Sequence, residues 1–141
     1  MPMDTTLKDA LLNHVLRTSA YTQPTTLDVA LWRTTGGEVT GTGYAREAIG
    51  TADANWTAPA AGTGTRRQCT NTAIVDFGTA GSDWATAGDP VTSLRIYEGA
   101  TLRFTLTEDA AGTNISKIIQ SGDPVQIPIG QLVIFLEDGS A

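Results

Sequence analysis

The residues with the most chemical potential lie in GGEVTGTGYAREAIG, residues 36–50, where Gly36, Gly37, Gly41 and Gly43 precede Tyr44, Arg46 and Glu47. A glycine run can cradle a phosphate on its backbone N–H groups when it ends a strand and opens a helix whose N-terminal dipole faces the anion. Here Gly41-Thr42-Gly43 continues as Tyr44-Ala45-Arg46, without the third glycine of a dinucleotide fingerprint, and neither lysine of the chain is near enough to complete a G-K-[ST] loop. The residues that follow read as a strand, so no helix dipole is available. The stretch reads instead as a flexible turn over 36–43 whose glycines permit positive φ, feeding a strand that begins at Tyr44. Tyr44 and Arg46 then share one strand face and brace it against a neighbour or a subunit boundary.

Nucleophilic chemistry has little to work with. The single histidine, His14, falls within an N-terminal helical pattern, where a hydrogen-bonded structural role fits it better than a Ser-His or Cys-His pair, and no G-x-S-x-G elbow occurs. The single cysteine, Cys69, excludes an intrachain disulfide, offers a metal at most one sulfur and reads as a small buried hydrophobe. Asp83, Asp89, Glu108, Asp109, Asp123, Glu137 and Asp138 mostly flank Gly or Pro and read as turn formers, and no D-x-D-x-D-G run points to calcium. No catalytic, cofactor or metal site is expected. The tryptophans are more informative: Trp32 falls on the polar side of its strand and Trp56 in a loop, which makes them candidate interface anchors as well as core.

The elements that must position these residues follow from periodicity. DTTLKDALLNHVLRTSAY predicts a helix from about Thr5 to Thr18, opened by an approximate capping box of Thr6 and Asp9. Leu7, Ala10, Leu11, Leu12, Val15 and Leu16 cover its apolar arc, and Asp9, Asn13 and Arg17 stack opposite. After Pro24 the period becomes two, with Leu27, Val29 and Leu31 alternating against Asp28, Ala30 and Trp32. SLRIYEGATLRFTLTE repeats that pattern and predicts a hairpin closed by Glu98-Gly99-Ala100. Shorter strands are expected at Tyr44–Ile49 and Thr72–Phe77, and a buried strand over VQIPIGQLVIFLED, broken at Pro128 and Gly130. Residues 50–67 read as an extended surface loop. GDPV at 88–91 and again at 122–125 is repeated turn chemistry rather than a duplicated unit.

At 141 residues the chain predicts one domain, a helical segment over 1–20 and an antiparallel β-sandwich or jelly-roll-like fold over 21–141. Its net charge of −6 and dispersed basic residues, Arg66–Arg67 being the one adjacent pair, argue against nucleic acid. No apolar run reaches the roughly 20 residues that span a bilayer, so no membrane role is expected. Synthesis in a host cytoplasm is the matching expectation.

In this order LLNH at 11–14, ALW at 30–32, GYAR at 43–46 and DW at 83–84 resemble a family of small virion structural proteins of tailed bacteriophages. Such proteins are labelled tail fibre, minor tail or head decoration proteins. The resemblance implies a β-sandwich displayed on a capsid or tail with no active site. TLTEDAAGTNISK, 105–117, departs from it as a polar loop suited to this chain's own attachment.

A compact, acidic chain without fibre repeats or coiled-coil heptads favours a capsid decoration protein, a trimer cementing the major capsid protein shell. A fibre-associated or minor tail protein is the alternative, and a carbohydrate-binding module using Trp56 a third reading. Leu7, Leu11, Trp32, Tyr44, Arg46 and Trp56 are the expected interface residues.

Overall fold

The computed structural model describes residues 3–137. One helix precedes the strands: α1 (Thr5–Leu16), β1 (Thr26–Arg33), β2 (Gly37–Glu38), β3 (Glu47–Gly50), β4 (Ala60–Ala61), β5 (Arg67–Thr70), β6 (Val75–Thr79), β7 (Val91–Glu98), β8 (Thr101–Leu106), β9 (Pro124–Ile127) and β10 (Val133–Leu136). The protein is mainly β, with several antiparallel sheets and one short helix at the N-terminal side.

The largest sheet runs β2-β1-β7-β8, and β3 shares an edge of β1 with β2. β1 alternates as its sequence requires: Val29 and Leu31 point into the core opposite Ile96 and Leu94, while Asp28, Ala30 and Trp32 face outward. β7 and β8 form the expected hairpin, with Leu94 opposite Leu106 and Ile96 opposite Phe104. Gly99 turns it at φ 59°, a conformation that a Cβ disfavours. A bulge between Ile96 and Tyr97 shifts the register near the turn.

Two smaller sheets, β10-β5-β4 and β6-β9, bring residues to the other side of the core. Val75, Phe77, Trp84, Ile119 and Leu132 close on Val29, Leu31, Ile96 and Leu106. This is a β-sandwich arrangement, in which apolar faces of separate sheets exclude water from between them.

Several boundaries differ from the expectation for physical reasons. α1 stops at Leu16, and its N-cap is Asp4, whose carboxylate accepts the Thr6 N–H at 2.9 Å; the Thr6–Asp9 capping box does not form. Of the broad apolar arc only Leu7 is buried, at 5% exposure, whereas Leu12, Val15 and Leu16 are 58, 74 and 74% exposed. The third strand begins at Glu47 rather than Tyr44, because Tyr44 leaves the sheet to fill the core, and the strand expected at Thr72–Phe77 is β6, Val75–Thr79.

The apolar run 125–138 divides into β9 and β10, which belong to different sheets. Gln131 N–H donates to Pro128 carbonyl and Gly130 N–H to Asn71 carbonyl, making a turn where a single strand was expected; Asp138 lies outside the described residues. The 50–67 segment is tied down as well. Trp56 bridges to Asn71, Thr72 Oγ1 donates to Ala54 carbonyl, and β4 pairs with β5. Cys69 is half-buried in β5 rather than fully buried.

Of the turn carboxylates, Asp109 and Asp123 bond within their own turns, whereas Asp83 and Asp89 hold turns distant in sequence. In the first GDPV, Asp89 accepts Thr35 N–H at 2.7 Å and Gly36 N–H at 2.9 Å; in the second, Asp123 accepts Gln120 N–H at 2.8 Å. Asp109 likewise accepts from Ala111 and Thr113, and Asp83 from Ser121. Each offsets orphan backbone donors in a tight turn.

Candidate interface surfaces

The glycine-rich stretch is packed rather than flexible. Gly37 and Gly43 adopt φ 73° and 82°, as a turn-forming glycine allows. Gly41 has a different reason to lack a side chain: it lies against Trp84, whose indole Nε1–H donates to Thr42 carbonyl at 2.9 Å. Thr42 N–H donates to Ser82 Oγ, and Gly81 N–H donates to Thr42 carbonyl, so the loop is sewn onto residues 81–84. Both backbone groups of Thr42, the central residue of Gly41-Thr42-Gly43, are thereby used inside the protein.

Beyond the loop, Tyr44 stacks on Phe77 at 6.2 Å and meets Trp84 edge-on at 5.5 Å. Its hydroxyl repairs a gap in the sheet. β2 pairs with Trp32 and Arg33, and β3 with Thr26 to Val29, so the Leu31 amide falls between the two. Val39 N–H donates to the Leu31 carbonyl, and the Leu31 N–H donates to Tyr44 Oη at 3.0 Å. Tyr44 Oη in turn donates to Glu38 Oε1. Burial pushes the phenol well above its ordinary range, with the Glu38 charge acting in the same direction.

Glu38 also receives Arg46 in a two-pronged pair, Nε to Oε1 and Nη2 to Oε2, both at 2.8 Å. That hydrogen bonding from Arg46 holds the Glu38 carboxyl below its ordinary range, against the smaller effect of burial. The Arg46 guanidinium lies 3.9 Å over the Tyr97 ring. Trp32, cross-strand from Glu38, stacks under Arg95 at 3.7 Å. Thus Trp32 and Arg46 lie on the outer side of the large sheet, and Tyr44 supports that side from the core.

Leu7, Leu11 and Trp56 meet elsewhere. They line one apolar groove of ≈ 400 Å³ between α1 and the small sheet, with Leu27, Phe104 and Ile134. Trp56 donates its indole N–H to Gly50 carbonyl at 2.8 Å, so its polar edge is satisfied inside the chain. α1 is attached at its start, where Asp4 N–H donates to Arg103 carbonyl and Arg103 reaches both Thr6 Oγ1 and Glu98. His14 accepts Tyr21 N–H on Nδ1, which anchors the chain leaving the helix.

Sequence reasoning missed three residues that organise these surfaces. Trp84, 1% exposed, gave only the signal of its aromatic size; Glu38 offered the general cue of an acid near an arginine. Asn71, 1% exposed, gave none: its Nδ2 donates to Ala73 and Pro128 carbonyls, and its Oδ1 accepts Leu132 N–H. Among the described residues no group of three or more His, Cys, Asp and Glu side chains is placed to hold a metal ion.

A family model described as Podophage GP4 fiber I protein gp80 matches residues 2–135, and the chain belongs to that family. It is accordingly a structural protein of a bacteriophage virion, as the sequence resemblance implied at that level. No curated protein and no solved structure matches the chain.

Proposed function

We propose that this protein is a tail-fibre component of a short-tailed bacteriophage particle and acts by protein–protein contact rather than by chemistry. The observation that carries this reading is the fibre-family match over residues 2–135. The packed glycine loop agrees with it, since the motif that most resembled a cofactor loop is bonded through Thr42 to the protein's own residues 82 and 84.

Capsid decoration, which compactness and the lack of heptads favoured, has no observation here that prefers it over the fibre. The glycan reading based on Trp56 is weakened, because that indole packs against the core and bonds to Gly50. Its partners on the fibre reading are other tail proteins and copies of itself.

The test is location on the particle. An affinity-tagged chain, labelled with gold and viewed on intact virions, is expected at the tail. Uniform labelling over the head would overturn the fibre reading in favour of decoration.

A further inference from the structure

Between the segment 115–119 and β9 the sandwich is open. The cleft there has a volume of ≈ 600 Å³, and its floor is the inner side of the large sheet at Leu31, Val91, Leu94 and Leu106. Ile115 and Ile119 line one wall, and Val125 and Ile127 line the other. A sandwich closed along its whole length fills this space with interdigitating side chains of its own.

One wall of the cleft is also a free backbone edge. Residues 115–119 lie beside the large sheet, where the N–H groups of Ile115, Lys117 and Ile119 donate to the carbonyls of Thr107, Val91 and Ala85. Ser116 and Ile118 alternate with them, so their N–H and C=O groups turn the other way, and neither backbone has a partner among the described residues. Ile118 adds an apolar side chain that is 52% exposed beside this edge. Unpaired edges of this kind are templates for another strand unless charge, brevity or a covering element blunts them.

The charge around the cleft selects what could add there. Glu108, Asp109 and Asp123 line it against Lys117 alone. Asp109 and Asp123 accept backbone N–H groups of their own turns, and Arg66 lies 3.9 Å from Glu108 while binding Glu137 at 2.8 Å. The carboxylates therefore lack a close cation.

We propose that the edge at 116–118 takes up an extended, basic segment of a different protein as an added strand. Its backbone bonds to Ser116 and Ile118, its alternate apolar side chains fill the cleft, and a Lys or Arg beside them meets Glu108, Asp109 or Asp123. Main-chain bonds supply affinity in this mode, and the pockets for alternate side chains supply specificity. A second copy of this chain is a poor occupant, because its net charge of −6 meets an acidic rim. The inference names a partner for the contact function proposed above, yet its test needs no virion, so either can fail alone.

Amide NMR of the full chain with the capped heptapeptide Lys-Val-Thr-Val-Thr-Val-Lys tests it. Shifts are expected at 115–119 and along the cleft at Val125 and Ile127, with slower hydrogen exchange at Ser116 and Ile118 in the complex. Glutamate in place of both peptide lysines should weaken binding about threefold or more, and Glu108→Lys should narrow that difference. Ile118→Pro removes an N–H that has no partner in the chain, and is expected to weaken binding about tenfold or more. Two peptides N-methylated on opposite alternate residues answer the same question if that variant does not fold: one should lose binding and the other keep it. No binding at millimolar peptide, shifts centred elsewhere, equal affinity for the glutamate peptide, two N-methylated peptides that bind alike, or Ser116 and Ile118 amides already protected in the free protein would each overturn the proposal.

Discussion

Gly41→Ala is the perturbation whose cost the structure defines most closely. An added Cβ would overlap Trp84 Cδ1 and lie 2.8 Å from Ser82 Oγ and 2.9 Å from Trp84 Nε1. Neither neighbour has an easy retreat, because the Trp84 ring is buried and its Nε1–H is bonded to Thr42, while Ser82 Oγ accepts the Thr42 amide. Overpacking of this kind costs about 1–3 kcal/mol. Loosening the indole from Thr42 adds on the order of 1 kcal/mol. The expected loss is about 2–4 kcal/mol, or a fall in Tm of roughly 10 °C for a domain of this size.

Gly43→Ala supplies the comparison. Its nearest contacts would be 3.6 to 3.9 Å, ordinary distances, so its cost comes from φ 82° alone. That is about 1–2 kcal/mol. Gly41 should therefore be the more sensitive glycine although Gly43 is the one with positive φ. Urea denaturation of both variants gives the order. In the Trp84→Phe background, which removes the pyrrole edge, Gly41→Ala should cost at least about 1 kcal/mol less than alone. A Gly41→Ala protein within about 0.5 kcal/mol of wild type, or the reverse order of the two glycines, would refute the steric reasoning.

Two further predictions concern the network behind the sheet. Tyr44→Phe leaves the Leu31 N–H without its acceptor and is expected to cost about 1–3 kcal/mol; amide exchange at Leu31 should accelerate more than at Val29, which keeps its strand partners. Glu38 titrates below its ordinary range in the fold, chiefly through hydrogen bonding from Arg46, so its stabilisation is complete above the unfolded-state value and is lost as pH falls through the lowered one. Urea midpoints between about pH 6 and pH 3 should fall on acidification, and Glu38→Gln should flatten part of that dependence; a profile identical in the two proteins would contradict the linkage.

The parts of the fold legible in the sequence were those set by local period. The β7–β8 hairpin followed from alternation plus Glu98-Gly99-Ala100, and β1 from Leu27, Val29 and Leu31, because a half-buried strand needs only its own pattern to choose a face. α1 was legible as a helix, but its buried side was not. Six apolar residues cover so wide an arc that the attachment of Asp4 to Arg103, distant in sequence, decides that Leu7 goes inward and Leu16 outward.

The candidate surfaces divide in the same way. The strand face expected to carry Tyr44 and Arg46 together does not form, since both precede β3, with Tyr44 against the core and Arg46 over Tyr97; their common partner Glu38 required the fold. Pairing of Trp32 with Arg95 depends on register between strands far apart in the chain, which no local pattern encodes. The division of 125–138 was half legible: Pro128 and Gly130 mark a break, but assignment of its two arms to different sheets rests on Asn71.

Asn71 also constrains when the domain can form during synthesis. Its side chain bonds to residues 57 and 61 positions further along the chain, at Pro128 and Leu132. Until those residues emerge from the ribosome the amide has no partners for burial, and β5 has no β10 beside it. Closure is then a long-range event with a loop entropy to overcome, so the nascent chain keeps a sheet edge open to neighbouring chains until residues 128–136 have emerged.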